Sequence, residues 1–300
     1  MKNVKIAYLI LAHTDPTHIK RLSSVLSNTG DVYIHVDLKS NIQDFKELLE
    51  TMKKVYLIDN RIEVFWGGYS LVQATINLME YAYDRKDYDR YVLLQGLEYP
   101  IKSDEFILDF FNKNRDVEFI RACDITNSKN KYFYSKCKYY WSFDNINFVK
   151  RLWHKISNIF DLKLRKGYVY IDQKKYNLFW GSGLWALTSE CIKYILDFNK
   201  KQVEFNKYMK HVLAPDEIYF HSIVFNSDFL KKTRNGIEEE KEGLVNWRNL
   251  HYFEYDKNIK VFSRADFEKI IELDEIFIRK TNTELSSQLL DMLDNNRNNN

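Results

Sequence analysis

Two adjacent carboxylates behind a proline, Asp216 and Glu217 in "LAPDEIYFHSIVFNS" (residues 213–227), are the clearest candidates for acid–base chemistry in this sequence. A glutamate so placed can act as a general base, taking the proton of an attacking hydroxyl. The same residues also make an ordinary helix start. Proline is accommodated at the first helical position, and acids in the first turn are favoured by the helix dipole. Taken alone, local physics favours the helix start. His221 follows Glu217 by four residues, on the same face of such a helix, where it can partner an acid.

Other constellations carry less. The sequence contains no Walker A run, no G-x-G-x-x-G after its first strand and no H-E-x-x-H, and "WGSGLW" (180–185) lacks the spacing of a serine nucleophile elbow. Asp87-Tyr88-Asp89 has the Asp-x-Asp form of a divalent-metal motif. It precedes the strand "RYVLLQG", however, and so falls at the wrong edge of a parallel sheet. At the proper edge "QGLEYP" offers one acid, Glu98, too few for Mg²⁺ or Mn²⁺ unless phosphates supply the rest. Fixed cations for an anionic leaving group would come from Arg248, Lys257, Lys260, Arg264, Arg279 and Lys280. Cys123, Cys137 and Cys191 are odd in number and far apart. That argues against a disulfide framework and a cysteine zinc site, and fits a reducing compartment.

The elements that must position these residues alternate in type. "KIAYLILA" is a continuous apolar run typical of a strand buried on both faces. "DPTHIKRLSSVLSN" then places Ile19, Leu22, Val25 and Leu26 at helical spacing. Strands "DVYIHVD", "KVYLID", "RYVLLQG" and "VEFIRA" alternate with helices "IQDFKELLETM", "SLVQATINLMEYAYD" (with Ser70 as its cap) and "SDEFILDFFNKN". Such alternation predicts an α/β fold with parallel βαβ units, whose ligand lies beyond the carboxyl ends of the strands. The residues at that edge are His13, Asp37, Gln95, Gly96 and Glu98. Farther on come a strand "LWALT", a helix "SECIKYILDFN" and the helix after Pro215. "GIEEEKEG" (236–243) reads as a charged loop, and "DNNRNNN" at the end has the composition of a disordered tail.

With 45% hydrophobic residues and 16% aromatics over 300 residues, the chain can fill a full core. No stretch approaches the ~20 apolar residues of a membrane span. The net charge of +3 hides an asymmetry: residues 129–175 hold twelve Lys and Arg against three Asp, interleaved with Tyr, Phe and Trp. That block is either a solvated basic face or a contact for an anionic membrane surface, nucleic acid or substrate phosphates.

Several motifs in order carry a resemblance. "AYLILAHTDPTHIKRL", "YIHVDLKS", "FWGGYSLVQATINLM", "LLQGLEYPIKS", "WGSGLWALTSE", "APDEIYFHSIVFNS" and "IFIRK" resemble the core-2/I-branching β-1,6-N-acetylglucosaminyltransferase family, which includes the peptide-O-xylosyltransferases; they span about residues 6–281. The resemblance implies a GT-A type fold, a mostly parallel Rossmann-like sheet flanked by helices. Residues 1–122 would form its nucleotide-binding half, 123–282 its acceptor and catalytic half, and 283–300 a C-terminal helix and disordered tail. It further implies an inverting glycosyltransferase with a UDP-sugar donor, no cofactor and no divalent metal. Glu217 becomes the general base, and Asp216 a structural residue bonding free helix N–H groups. His13 and Asp37 line the uridine pocket, Gly96 and Glu98 lie near the donor, and Lys280 holds the diphosphate. Lys257 and Arg248 are candidates for the family's upstream arginine. Trp247 of "LVNWRNL" falls on the acceptor side with Ser182 and Trp185, although "WGSGLW" departs from the family's commoner "GSQWW". Lacking the anchor, stem and disulfides of animal members, the chain resembles a soluble bacterial branch. Such a branch would act in the cytoplasm or at the inner membrane face on glycan or lipid-linked acceptors of cell-surface polysaccharide, touching the membrane through residues 129–175, with no nucleic-acid partner. The competing readings are a non-catalytic nucleotide-sugar-binding or membrane-surface adaptor on the same fold, and a nucleic-acid binder using the basic block.

Overall fold

The structure is a computed structural model describing residues 3–144, 152, 156, 159–255 and 257–299. Its centre is β1 (Ile6–Ala12), buried at every position. The strand divides its side chains between two cores: Ala7, Leu9 and Leu11 enter one, Ile6, Tyr8, Ile10 and Ala12 the other. This is why the run is apolar throughout rather than alternating. The chain continues through α1 (Pro16–Leu26), β2 (Gly30–Val36), α2 (Ile42–Leu49), β3 (Val55–Leu57), α3 (Ser70–Arg85), β4 (Arg90–Leu94), β5 (Glu98–Pro100) and α4 (Asp104–Lys113). Strands β1 to β4 pair in parallel, with Ile6 opposite both Gly30 and Arg90.

The later half is less regular. It runs β6 (Ala122–Asp124), α5 (Lys131–Lys138), the hairpin β7 (Tyr168–Ile171) and β8 (Lys174–Asn177), β9 (Phe179–Trp180), β10 (Ala186–Thr188), α6 (Ser189–Lys201) and α7 (Val203–Met209). A 3₁₀ turn over Pro215–Glu217 precedes α8 (Tyr219–Phe225), followed by β11 (Ile237–Glu238), β12 (His251–Tyr252), α9 (Phe267–Ile271), β13 (Phe277–Arg279) and α10 (Thr283–Asn299). β10 joins the main sheet antiparallel to β4, giving the order β10-β4-β1-β2-β3. Helices α3, α6 and α8 cover one face, and α1, α2, α4 and α10 the other.

Four local expectations are corrected. Ser70 does not cap α3; it is the first helical residue, and Asp144 supplies the cap instead, accepting from the N–H groups of Tyr69 and Ser70 and from the Ser70 hydroxyl. Gly68 makes this approach feasible, since a Cβ there would stand 2.1 Å from Asp144 Oδ1. "VEFIRA" is a strand only over β6; Glu118 and Phe119 make single bridges, and the buried Glu118 carboxylate takes the N–H and hydroxyl of Thr188. Part of the charged loop, Ile237–Glu238, pairs with β6, clamped by the Arg121–Glu238 ion pair. The Asn-rich end continues α10 to Asn299. Leu289, Leu290 and Leu293 are buried, and Asp294 accepts from Arg21 and the Tyr99 hydroxyl. Arg297, also buried, binds the Lys102 carbonyl and Asp104. Among the described residues no helix is long and apolar enough to cross a membrane. Lys150, Arg151 and Lys155 of the basic block lie outside the described residues.

Candidate active site

A cleft of about 530 Å³ opens at the carboxyl ends of β1, β2 and β4. The first residues beyond these strands, His13, Asp37 and Gln95, line it, the placement a parallel sheet dictates. The irregular half adds Ser182, Gly183, Asp216 and Glu217, and the end of β13 adds Arg279 and Lys280.

Around Asp37 the cleft is arranged to hold negative charge. Burial opposes ionisation there, but the backbone N–H of Lys39 at 2.9 Å and its ammonium, also at 2.9 Å, outweigh it and hold the carboxyl below its ordinary range. His35 accepts the Ile62 N–H at its Nε2, and burial pushes it down to about 4, so it stands neutral. His13 is lowered mainly by burial, against the pull of Asp37. Burial and the neighbouring Arg279 charge lower Lys280.

The Pro215–Glu217 turn is tied down on two sides: Ala214 N–H donates to the Gly67 carbonyl and Leu213 N–H to the Lys136 carbonyl. Glu217 Oε2 accepts the Trp180 indole N–H at 2.7 Å and the Lys136 ammonium at 3.2 Å. No protein group among the described residues holds Oε1. Asp216 behaves differently: burial and then the adjacent Glu217 charge raise its carboxyl to about 7. Its side chain lies in the cleft wall, where the backbone N–H groups of Asp216 and Glu217 favour its charged form without outweighing burial. The expected bonding to N–H groups thus stays within the turn, and Ile218 (φ −127°) separates the acids from α8.

The profile of the Core-2/I-Branching enzyme family matches residues 6–271. The chain belongs to this family. Its architecture is of the GT-A type. Similar curated proteins include xylosyltransferase 2 of Rattus norvegicus, 24% identical over 97% of this chain and 33% of that protein. Xylosyltransferase 2 of Mus musculus is 26% identical over 75% and 25%, and the xylosyltransferase oxt of Drosophila pseudoobscura pseudoobscura 26% over 75% and 25%. The chain thus spans about a third or less of the length of the curated relatives it matches.

Set beside the family's motifs, the cleft gathers His13, Asp37, Gln95, Ser182, Asp216, Glu217, Arg279 and Lys280, and leaves out Gly96, Glu98, Trp185, Trp247, Arg248, Lys257 and His221. Gly96 lies at φ +84°, with Ile19 Cδ1 3.0 Å from where its Cβ would be; it makes a turn that only glycine fits well. Glu98 is fully buried. It accepts the Gln95 and Leu97 N–H groups at 3.0 and 3.1 Å and anchors Arg279, so it builds the cleft floor without lining it. Trp247 is buried too, its indole N–H on the Lys241 carbonyl and its ring against Trp180, so it backs the residue that holds Glu217. Trp185 is buried in the core. Arg248 is spent on the Phe253 carbonyl, and Lys257 is exposed away from the cleft lining. His221 donates from Nε2 to the Ser182 carbonyl and is driven down to about 3 by burial, so it partners no acid.

Two further lining residues, Lys39 and Trp66, and one behind the lining, Lys136, were not among the expected site residues. Lys39, two residues past a strand-end acid, was legible in "HVDLKS" as a continuation of the same edge. Trp66, 83% exposed on the lining, sits in the quoted "FWGGYS" without any periodicity to mark it. Lys136 reaches Glu217 only through the packing of α5 and had no sequence signal. Asp87-Tyr88-Asp89 stands before β4, where Asp89 accepts the Lys5 N–H, away from the cleft. Among the described residues no three His, Cys, Asp or Glu side chains come together in a way that could hold a metal ion.

Proposed function

We propose that this chain is an inverting glycosyltransferase that moves a sugar from a UDP-sugar to a hydroxyl of a glycan or lipid-linked acceptor, with Glu217 as general base and no divalent metal. The observation that carries this reading is the bonding of Glu217. Both protein donors fall on Oε2, so the carboxylate is fixed in place while Oε1 is left for a substrate hydroxyl. Family membership and the xylosyltransferase relatives support the reaction class.

The acceptor O–H gives its proton to Glu217 as its oxygen bonds the anomeric carbon. The bond from that carbon to the diphosphate oxygen breaks, and its electron pair leaves with UDP. Lys280 and Arg279 supply positive charge where the diphosphate becomes more negative, an electrostatic contribution that needs no reorganisation. The first half of the chain would hold the nucleotide through His13 and Asp37, and the second half would bring the base and the acceptor.

A peripheral contact with an anionic membrane at the cytoplasmic face belongs to the same reading. Ile159 and Phe160 are 75% and 69% exposed, with Leu162, Leu164, Lys163 and Lys166 exposed beside them. Apolar side chains flanked by cations suit the surface of an anionic bilayer. Replacing Ile159 and Phe160 by Ser should reduce sedimentation with anionic vesicles, and unchanged sedimentation would remove the contact.

Thermal stabilisation by UDP and by UDP-sugars, with and without EDTA, tests the main proposal. Stabilisation that survives EDTA, followed by transfer that Glu217→Gln abolishes, is the expected result. No stabilisation by any uridine nucleotide overturns it. Binding without transfer to any acceptor would mark a nucleotide-sugar-binding protein instead.

A further inference from the structure

The two parts of the cleft lining meet at Gly183. A Cβ placed there would lie 3.0 Å from Asp216 Oδ2 and 3.8 Å from the Gln95 amide nitrogen. Gln95 belongs to the strand-end part, one residue beyond β4, and Asp216 to the turn that carries the base. The absence of a side chain at 183 leaves both polar groups uncovered. In the transfer proposed above, the sugar must bridge the nucleotide side and the base, so it passes this junction.

We infer that Asp216 recognises the transferred sugar, its carboxylic acid group donating a hydrogen bond to an oxygen substituent of that sugar while the Gln95 amide binds the same substituent or its neighbour. This rests on the reading of the cleft as a UDP-sugar site. The charged groups around Asp216 favour a division of labour. Glu217, adjacent in the chain, takes the Lys136 ammonium of α5 and the Trp180 indole, and among the described residues no ammonium or guanidinium pairs with Asp216. Burial and the Glu217 charge therefore keep a proton on Asp216 to near neutrality. A neutral acid can donate to a sugar oxygen, whereas a carboxylate can only accept.

The test compares the affinities of UDP and of its best-bound sugar conjugate (UDP-GlcNAc, UDP-glucose, UDP-galactose or UDP-xylose) by calorimetry. The proteins are the wild type, Asp216→Asn, Asp216→Ala and Gly183→Ala. UDP affinity should be the same in all four, which also shows that each variant folds. The gain in affinity from the sugar should fall by about five- to tenfold in Asp216→Ala, the worth of one hydrogen bond. Asp216→Asn, whose amide still donates, should keep it. Gly183→Ala should lose it in part, because its methyl covers the carboxyl. In the wild type the sugar's contribution should shrink as pH rises through about 7, where the proton is lost, and in Asp216→Asn it should not. A sugar contribution that is absent in the wild type, unchanged in Asp216→Ala or independent of pH overturns the inference and leaves the UDP site standing. Failure of the wild type to bind UDP at all removes both.

Discussion

Asp37 and Asp216 are the same residue type in the same cleft, and their surroundings push them in opposite directions. Asp37 follows a parallel strand and receives the N–H and ammonium of Lys39, with the Val64 N–H at 3.4 Å. Asp216 sits in a 3₁₀ turn whose one ammonium goes to its neighbour, Glu217. Burial acts on both; at Asp37 the donors and charge of Lys39 outweigh it, and at Asp216 the adjacent Glu217 charge adds to it. The strand-end part of the lining thus has a carboxylate fixed by its own loop. The turn holds two acids with unlike surroundings.

The sharpest way to separate the two parts is Glu217→Gln. Transfer should fall by about 10²–10⁴-fold, the usual weight of a general base, with UDP binding intact; a parallel loss of UDP binding in titration would break the division. Next is Lys280→Ala, on the nucleotide side. UDP affinity should drop by about ten- to a hundredfold, as expected for a lost charge-assisted bond, and a Kd within error of wild type would contradict that placement.

Smaller effects should appear in thermal midpoints, with opposite signs. The folded pKa of Asp37 is depressed, so its stabilisation is present above the unfolded carboxylate pKa and is lost as pH falls through the folded value. Asp37→Asn should therefore lower the midpoint at pH 8. The folded pKa of Asp216 is raised to about 7, so it weakens the fold progressively between the unfolded carboxylate pKa and that value. Asp216→Asn should raise the midpoint at pH 8 and leave it unchanged near pH 4. Shifts of the same sign would show that the contrast is wrong. The smallest effect concerns Asp15, whose carboxylate accepts the His18 N–H at the start of α1 and the Thr283 N–H and hydroxyl at the start of α10. Asp15→Ala should cost about 1–2 kcal/mol in urea unfolding, and an unchanged midpoint would show that the shared cap contributes nothing.

Much of the strand-end part could be read from the sequence. "KIAYLILA" and its successors have one apolar rhythm, and the parallel-sheet rule then names His13, Asp37 and Gln95. What failed there was the assumption that every residue near the edge lines the cleft: Gly96 is demanded by a backbone angle, and Glu98 by N–H groups that would otherwise be unpaired. The turn was less legible because its partners are remote in sequence. Nothing near Glu217 announces Lys136 or Trp180, and nothing near Ser70 announces Asp144. Motif resemblance singled out Glu217, which lines the cleft, but also Trp247 and Trp185, which the core buries. The Asn-rich end misled through composition, since Arg297 and three leucines suffice to hold the helix.

The antiparallel attachment of β10 to β4 has a consequence for how the chain comes into being. β4 has one neighbour, β1, from earlier in the chain and another, Ala186–Thr188, from about ninety residues later. Until then a buried-type apolar strand presents open N–H and C=O groups, the form of edge that recruits foreign strands. A nascent or truncated chain ending near residue 122 should therefore be sticky even though it holds most of a sheet. Cutting this protein between its halves would create an aggregating fragment, and co-expression of the two pieces is the way to recover a soluble one.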